Sequence, residues 1–460
     1  MDVSPDLQTR INNANPGDVI NVEAGTFGPI TINKPLTLIG SGSGTVIDGG
    51  SATAIIIASN GVNVSSLSAI CGANMVGTIT VNGHFNKIDN VTVKNDRSEG
   101  WSRYAIHFSS SSSNNSVYDS TVFDSIIGVM ADGSHNNTVS GNTFIDNSLE
   151  DIRLVSSSDS LVIGNDISAE TGVKVWEDSY RNVIDGNLFS FGNTGVLVHD
   201  ANENAITNNT IVGCRRSIEI KSGSSFNDIT NNTISGHDEF AVSITGGQSN
   251  LIEGNTIHSG HTGIVIQGPS PGNEIVGNDI FTQGNAIEVH GVGSLSVEDN
   301  NLSNNTGYAL LIEDSEQLDI QSNEFIQNAV GLHLDNVTGT EIAPIMVQEN
   351  VFWSNGVGSS SMEATYIIYY ENLFWNDTLG LHVDNSSWVL VLLNDFLDED
   401  VAAEVNDSEM VNADHNDVLR CGQGLVFTRT LAPTLLENDI LETPYGILLD
   451  GCEEAFLEEN

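Results

Sequence analysis

The chain has 460 residues, with 61 Asp and Glu against 14 Lys and Arg, a formal charge of −47 and a pI near 4.1. That balance excludes a nucleic-acid binder, which needs a basic footprint for phosphates, and docking on anionic lipid through clustered cations. Charged residues are only 16% of the chain, so this is not charge-rich disorder; the bulk is small and polar, with about fifty Asn and 45 Gly. Apolar stretches such as residues 388–393 are too short to cross a bilayer. The first twenty residues are polar, and the reading is of an extracellular, cell-surface protein whose leader is absent from the numbered chain.

In chain order, residues 1–40 read as an N-terminal cap and first coil, 41–440 as repeated coils, and 441–460 as a last strand with an acidic end. No spacer divides the chain, so 1–460 reads as one domain. Past the first fifteen residues no helical periodicity appears. A pattern of Asn, any residue, then an apolar residue recurs instead, as in Gly-Asn-Thr-Phe at 141–144 and Gly-Asn-Leu-Phe at 186–189. The phased positions are Asn142, Asn165, Asn187, Asn209, Asn232, Asn255 and Asn278, continuing to Asn438. Twelve of the thirteen intervals are 22 or 23 residues and the other is 27. Weaker copies near Ser65, Asn90 and Ser120 bring the total to about 17 coils.

About eight residues after each phased Asn comes a small residue and an alternating apolar segment, such as Gly195-Val196-Leu197-Val198. A third segment, such as Asn204-Ala205-Ile206, precedes the next phased Asn. Short alternation between Asn, Gly, Asp and Ser punctuation predicts strands. Three strands per 22 residues predict an all-β parallel solenoid, because one coil buries its apolar face only against its neighbours. The phased Asn residues are expected to stack as a structural amide ladder at one corner.

The N-terminal residues sharpen this. Asp6-Leu7-Gln8, the run from Ala14 to Ile20, Glu23-Ala24-Gly25-Thr26-Phe27 and the run from Ile32 to Gly40, with the Asn-phased coils behind them, resemble the right-handed parallel β-helix proteins of pectin-lyase-like fold. Within them the likeness is to the carbohydrate-binding-and-hydrolysis, or NosD-like, repeat group. The resemblance covers essentially the whole chain and implies a right-handed β-helix with a short capping helix. It leaves function open, since such folds serve lyases, epimerases, tailspikes, a periplasmic copper-related protein and archaeal surface proteins. The acidic, Asn/Ser/Thr-rich composition resembles archaeal envelope proteins of surface-layer or sheath type.

The candidate catalytic residues are two pairs. Arg153 and Lys174 fall on successive coils with Asp132 and Asp151 nearby, as a polysaccharide lyase would need for a base beside acidic cation ligands. Glu313 and Asp335 fall one coil apart, near the carboxyl spacing of a retaining glycosidase. The outward column of the second strands reads...Leu311, His333, Gly358, His382, Glu404... No His spacing marks a metal site, and no cofactor is expected beyond calcium or another divalent cation held loosely on the acidic surface. Of Cys71, Cys214, Cys421 and Cys452, only Cys421 and Cys452 are close enough to pair within the chain; otherwise thiols are buried or link subunits. Trp101, with Arg97 and Arg103 in one insertion, and Trp353 and Trp375 in a late apolar stripe are interface candidates. The stripe either faces outward as a docking surface or widens the core. A second insertion lies at 338–346. Twelve sequons include Asn63, Asn90, Asn208, Asn336 and Asn385 as glycosylation candidates.

The leading functional expectation is a non-catalytic, self-assembling envelope subunit of a layer, sheath or fibre, a homo-oligomer or polymer. A β-helical polysaccharide lyase or glycosidase is the alternative, and a glycan-binding adhesin or tailspike-like module the second. Neither nucleic acid nor direct membrane insertion is expected.

Overall fold

The computed structural model describes residues 6–72, 77–95 and 104–460. The chain opens on a helix, α1 (Leu7–Asn13). The Asp6 carboxylate accepts from the Thr9 N–H at 2.7 Å, capping the first turn. Leu7 and Ile11, one turn apart on one face, are buried. Gln8 ties the helix to the first coil, accepting from Thr31 N–H at 2.7 Å and donating to Thr31 O at 3.1 Å. Lys34 Nζ donates to the Asn12 and Ala14 carbonyls at the helix C-terminus, where the dipole favours a cation.

Among the described residues everything after α1 is strand and turn, and the chain is a right-handed parallel β-helix. A representative coil has a first strand Thr143–Ile145, a second strand Glu150–Val155 and a third strand Leu161–Ile163. Each pairs in parallel with its counterpart in the next coil. Among the described residues there are nineteen second strands, from Ile30–Ile32 to Tyr445–Asp450, two more than the Asn phasing counts. The extra coils are the first ones, where no amide marks the corner. A Cβ on Gly40 would meet Ser66 O at 2.3 Å, so that corner admits only glycine.

By internal packing the chain forms two compact units, Met1–Asp228 and Ile229–Asn460. In the first unit the inner column of the second strands is Ile106, Val129, Ile152, Val173, Val196 and Ile218, all fully buried. In the second unit four Phe rings of the first strands, Phe325, Phe352, Phe374 and Phe396, stack at 4.7, 4.6 and 4.8 Å. One coil departs from the pattern. Ser359 and Ser361 point inward where neighbouring coils carry Leu332, Leu334, Leu381 and Val383. Their small volume makes room for Tyr369, fully buried, whose Oη accepts from Ser359 Oγ at 3.2 Å. The outward residue of that strand is Ser360, not Gly358 as expected, because Ser360 is the register partner of His333 and His382.

The phased Asn residues form a hydrogen-bonded ladder. Asn142 N–H and Nδ2 both donate to Asn165 Oδ1, at 2.9 and 3.0 Å. Asn165 does the same to Asn187, and Asn187 to Asn209. The other Nδ2 hydrogen reaches back to a carbonyl, as from Asn165 to Val139 O at 2.9 Å. One amide thus satisfies four groups that the corner would otherwise orphan. Before each phased Asn sits a left-handed residue, such as Gly141, Gly164, Gly186 or Asn208 (φ 66, 63, 61 and 53°), which accounts for the Gly-Asn and Asn-Asn motifs. In the second unit the ladder runs through Asn232, Asn255 and Asn278 and on from Asn394 through Asn416 to Asn438. The 27-residue interval leaves it intact, with Asn323 donating to Asn350 at 2.9 Å. Amides line the other two corners as well: Asn305, Asn328 and Asn355 after the first strands, and Asn182, Asn204 and Asn227 before the third. The single ladder expected from phasing is therefore three.

Candidate functional site

The outer face of the second strands carries the two constellations that could perform chemistry. In the first unit, Arg153 and Lys174 are register partners, as expected. Both converge on Glu150, whose side chain is almost fully buried. Arg153 binds it through two nitrogens, Nη2 at 2.7 Å and Nε. Lys174 Nζ lies 3.7 Å from Glu150 and 4.0 Å from the centre of the Trp176 ring. Ile127, Met130 and Val155 pack beside this cluster. Glu150 occupies the place a substrate carboxylate would need, and both cations are held by it and by Trp176. Asp151 does not join them. It is fully buried in the neighbouring corner, accepting from Asn147 Nδ2 and from the N–H groups of Ser168 and Ala169 at 2.7 to 2.8 Å. It satisfies the corner N–H groups of the next coil, which has no amide there, and burial pushes its carboxyl up to about 6. Glu150 escaped the sequence reading, although a Glu three residues before Arg153 was the available signal.

In the second unit a line of His and carboxylates follows the register. Glu313 and Asp335 are partners on adjacent coils. Glu313 Oε2 lies 2.9 Å from His290 Nδ1, and His290 Nε2 lies 3.7 Å from Glu288. Asn285 Nδ2 and Thr262 Oγ1 donate to the other Glu288 oxygen, at 2.8 and 3.2 Å. His333 stacks on Tyr308 at 5.2 Å, and its Nδ1 lies 2.6 Å from Ser360 Oγ. Burial holds the His333 imidazole below its ordinary pKa, favouring the neutral ring. His382 follows, 3.6 Å from Glu404. Glu313 is thus engaged by His290 instead of standing free opposite Asp335, as a retaining pair would require. Among the described residues no three His, Cys, Asp or Glu side chains converge in a way that would hold a metal ion.

The late apolar stripe faces outward. Ile326, Trp353, Trp375, Leu397, Leu419 and Leu441 are register partners on the exposed side of the first strands. Trp353 and Trp375 are 37% and 44% exposed and stack at 5.7 Å. Trp101, Arg97 and Arg103 lie outside the described residues. Cys421 and Cys452 are free thiols rather than a disulfide, and Cys214 is a free, buried thiol. Cys71 is buried with Sγ 3.0 Å from Thr78 Oγ1. Of the four, only Cys452 is partly accessible for a link to another subunit. Asn63, Asn90, Asn208, Asn336 and Asn385 are all exposed. No helix among the described residues is long and apolar enough to cross a membrane.

Residues 12–222 match a family described as periplasmic copper-binding protein (NosD), and residues 218–374 match one described as right-handed beta helix region. No curated protein matches the chain closely. A PL6 family polysaccharide lyase from Pseudopedobacter saltans shares 16% identity, covering 61% of this chain and 82% of its own, with a TM-score of 0.42. The PL6 family alginate lyase AlyGC shares 10% identity over 98% of both chains, with a TM-score of 0.43. The A-module of the Azotobacter vinelandii mannuronan C-5 epimerase AlgE6 shares 12% identity, covering 98% of this chain and 93% of its own, with a TM-score of 0.30. The family patterns and the observed strand register together identify the chain as a right-handed parallel β-helix protein of pectin-lyase-like fold.

Proposed function

We propose that the protein is a non-catalytic, extracellular scaffold subunit that associates with copies of itself in a cell-envelope layer, sheath or fibre. The observation that carries this reading is the outward apolar ridge from Ile326 to Leu441, six register partners long and topped by Trp353 and Trp375. A contiguous exposed stripe of that kind marks an interaction surface. The periplasmic naming of the matching family supports an exported protein. A copper-holding role has no converging donor set among the described residues. Sedimentation velocity tests the reading. Concentration-dependent oligomers are expected, weakened by Trp353→Ser with Trp375→Ser. A single monomeric species across all salt and calcium conditions would overturn it.

The His and carboxylate line from Glu288 to Glu404 favours a second reading, a carbohydrate-active β-helix enzyme. It predicts product release from a polysaccharide panel, abolished by Glu313→Gln or Asp335→Asn, or by Arg153→Met with Lys174→Met if the first cluster acts instead. Turnover untouched by all of these would refute it.

A further inference from the structure

The corner before the third strand holds a left-handed residue in most coils. Ser249, Gly272 and Gln317 occupy it early in the second unit (φ 52, 69 and 50°). These are small or polar residues, as a left-handed position favours. Later in the same column stand Tyr366, Trp388 and Met410 (φ 53, 57 and 54°). Bulky side chains there oppose the backbone preference in three successive coils. The fold does not ask for them, and Trp388 and Met410 remain 48% and 43% exposed. Such a departure from local preference points to a use outside the fold.

The three side chains wall a groove of about 530 Å³, which Ile368 and Leu390 of the third strands and Pro344 of the insertion also line. The insertion turns back beside it. Thr340 and Ala343 exchange backbone hydrogen bonds at 2.9 and 3.1 Å, leaving Glu341 and Ile342 at the tip. Ile342 is 95% exposed, an apolar knob fully in water. Groove and knob are also the one place where a coil of this unit is lengthened to 27 residues.

We propose that Ile342 of one copy seats in the aromatic groove of a second copy, and reciprocally, forming a two-fold contact. This rests on the self-association reading above and names its geometry. Knob and groove adjoin on the same unit, so a two-fold axis between them places each knob over the other copy's groove, the self-complementary arrangement of an isologous interface. The groove is shaped for a side chain more than for a sugar. Tyr366 and Trp388 stack on each other at 5.5 Å and 5°, so much of their ring faces, on which a sugar would pack, is taken up within the stack. Glu341 from each copy enters the contact, so added salt strengthens it.

The test is sedimentation equilibrium of the full chain at 0.1 to about 2 M NaCl. Ile342→Asp, a change at an exposed turn, and Trp388→Ser are each expected to weaken the dimer at least tenfold. Mixing Ile342→Cys chains with Met410→Cys chains is expected to give a disulfide between chains, located by peptide mass. A dimer unmoved by both Ile342→Asp and Trp388→Ser overturns the knob-and-groove contact. If that dimer is instead lost with Trp353→Ser and Trp375→Ser, the scaffold reading survives without it. A monomer in every condition overturns both.

Discussion

At the corner after the first strands, the amide ladder of the second unit gives way to acids. Gln283, Asn305, Asn328 and Asn355 are followed in the next coils by Asp377, Glu399 and Cys421, all buried. Asp377 Oδ1 takes the amide's place, accepting from Asn355 N–H at 2.5 Å and Nδ2 at 3.0 Å. Its Oδ2 and both Glu399 oxygens are buried with no hydrogen-bond partner. Burial pushes Asp377 up to about 7, and burial with the Asp377 charge pushes Glu399 up to about 9. Both folded values exceed the unfolded ones, so the folded state holds protons the unfolded state releases. The stability they contribute is fully present below about pH 4 and is lost as pH rises through about 7 and 9. Asp377→Asn with Glu399→Gln restores the amides that this corner uses elsewhere. The pair is expected to raise the melting temperature at pH 9 by about 5 °C and leave it nearly unchanged at pH 4.5. A wild-type melting temperature flat from pH 5 to 10 would contradict this. These acids were invisible in the composition. What sets them apart is a corner position five residues after the phased Asn, where the four preceding coils carry Gln283, Asn305, Asn328 and Asn355.

At the scale of the element, the ladder rather than the apolar column defines each corner. Removing Asn165 leaves the Asn142 N–H and Nδ2, the Val139 carbonyl and Asn187 Oδ1 each short of a partner. Unsatisfied buried groups make Asn165→Ala cost roughly 2–4 kcal/mol. Because coils interact mainly with their neighbours, the loss is local. Hydrogen exchange is expected to speed at Asn142 and the flanking strands while protection in residues 229–460 stays unchanged. Uniform loss of protection would show that coils do not act independently. The repeat itself was legible because the 22-residue period leaves one Asn per coil in phase, and the outcome matches. Register was legible only where an apolar alternation existed. The Val357-Gly358-Ser359-Ser360-Ser361 segment has none, so the inward Ser359 and Ser361 could be placed only by the Tyr369 ring they accommodate. Arg153 and Lys174 were correctly brought together, but their common acceptor Glu150 lies at the start of the strand, outside the alternating column. The inward or outward sense of the Trp353 stripe was likewise undecidable, because apolar residues suit either side of a strand.

At the scale of the whole molecule, the charge is unevenly placed. Residues 229–460 hold 37 acidic and two basic side chains, a net of −35 of the chain's −47. Both basic residues there are already paired, Arg420 with Asp398 and Arg429 with Asp407 on the preceding coil. The apolar ridge and the aromatic groove lie in this same stretch. Any contact between copies through it brings together two strongly anionic surfaces with no cation free among its described residues. Repulsion between exposed charges falls off over about 10 Å at 0.1 M salt and about 3 Å at 1 M, so salt controls whether the apolar contact wins. Assembly is therefore expected to rise steeply between 0.1 and about 1 M NaCl, and to rise further with calcium at matched ionic strength, since a divalent ion bridges carboxylates that sodium only screens. Light scattering across a salt series measures the first effect, and chelation of calcium at constant ionic strength the second. Association that weakens with salt would mean the contacts are ionic, and the ridge and groove would then not be what holds copies together.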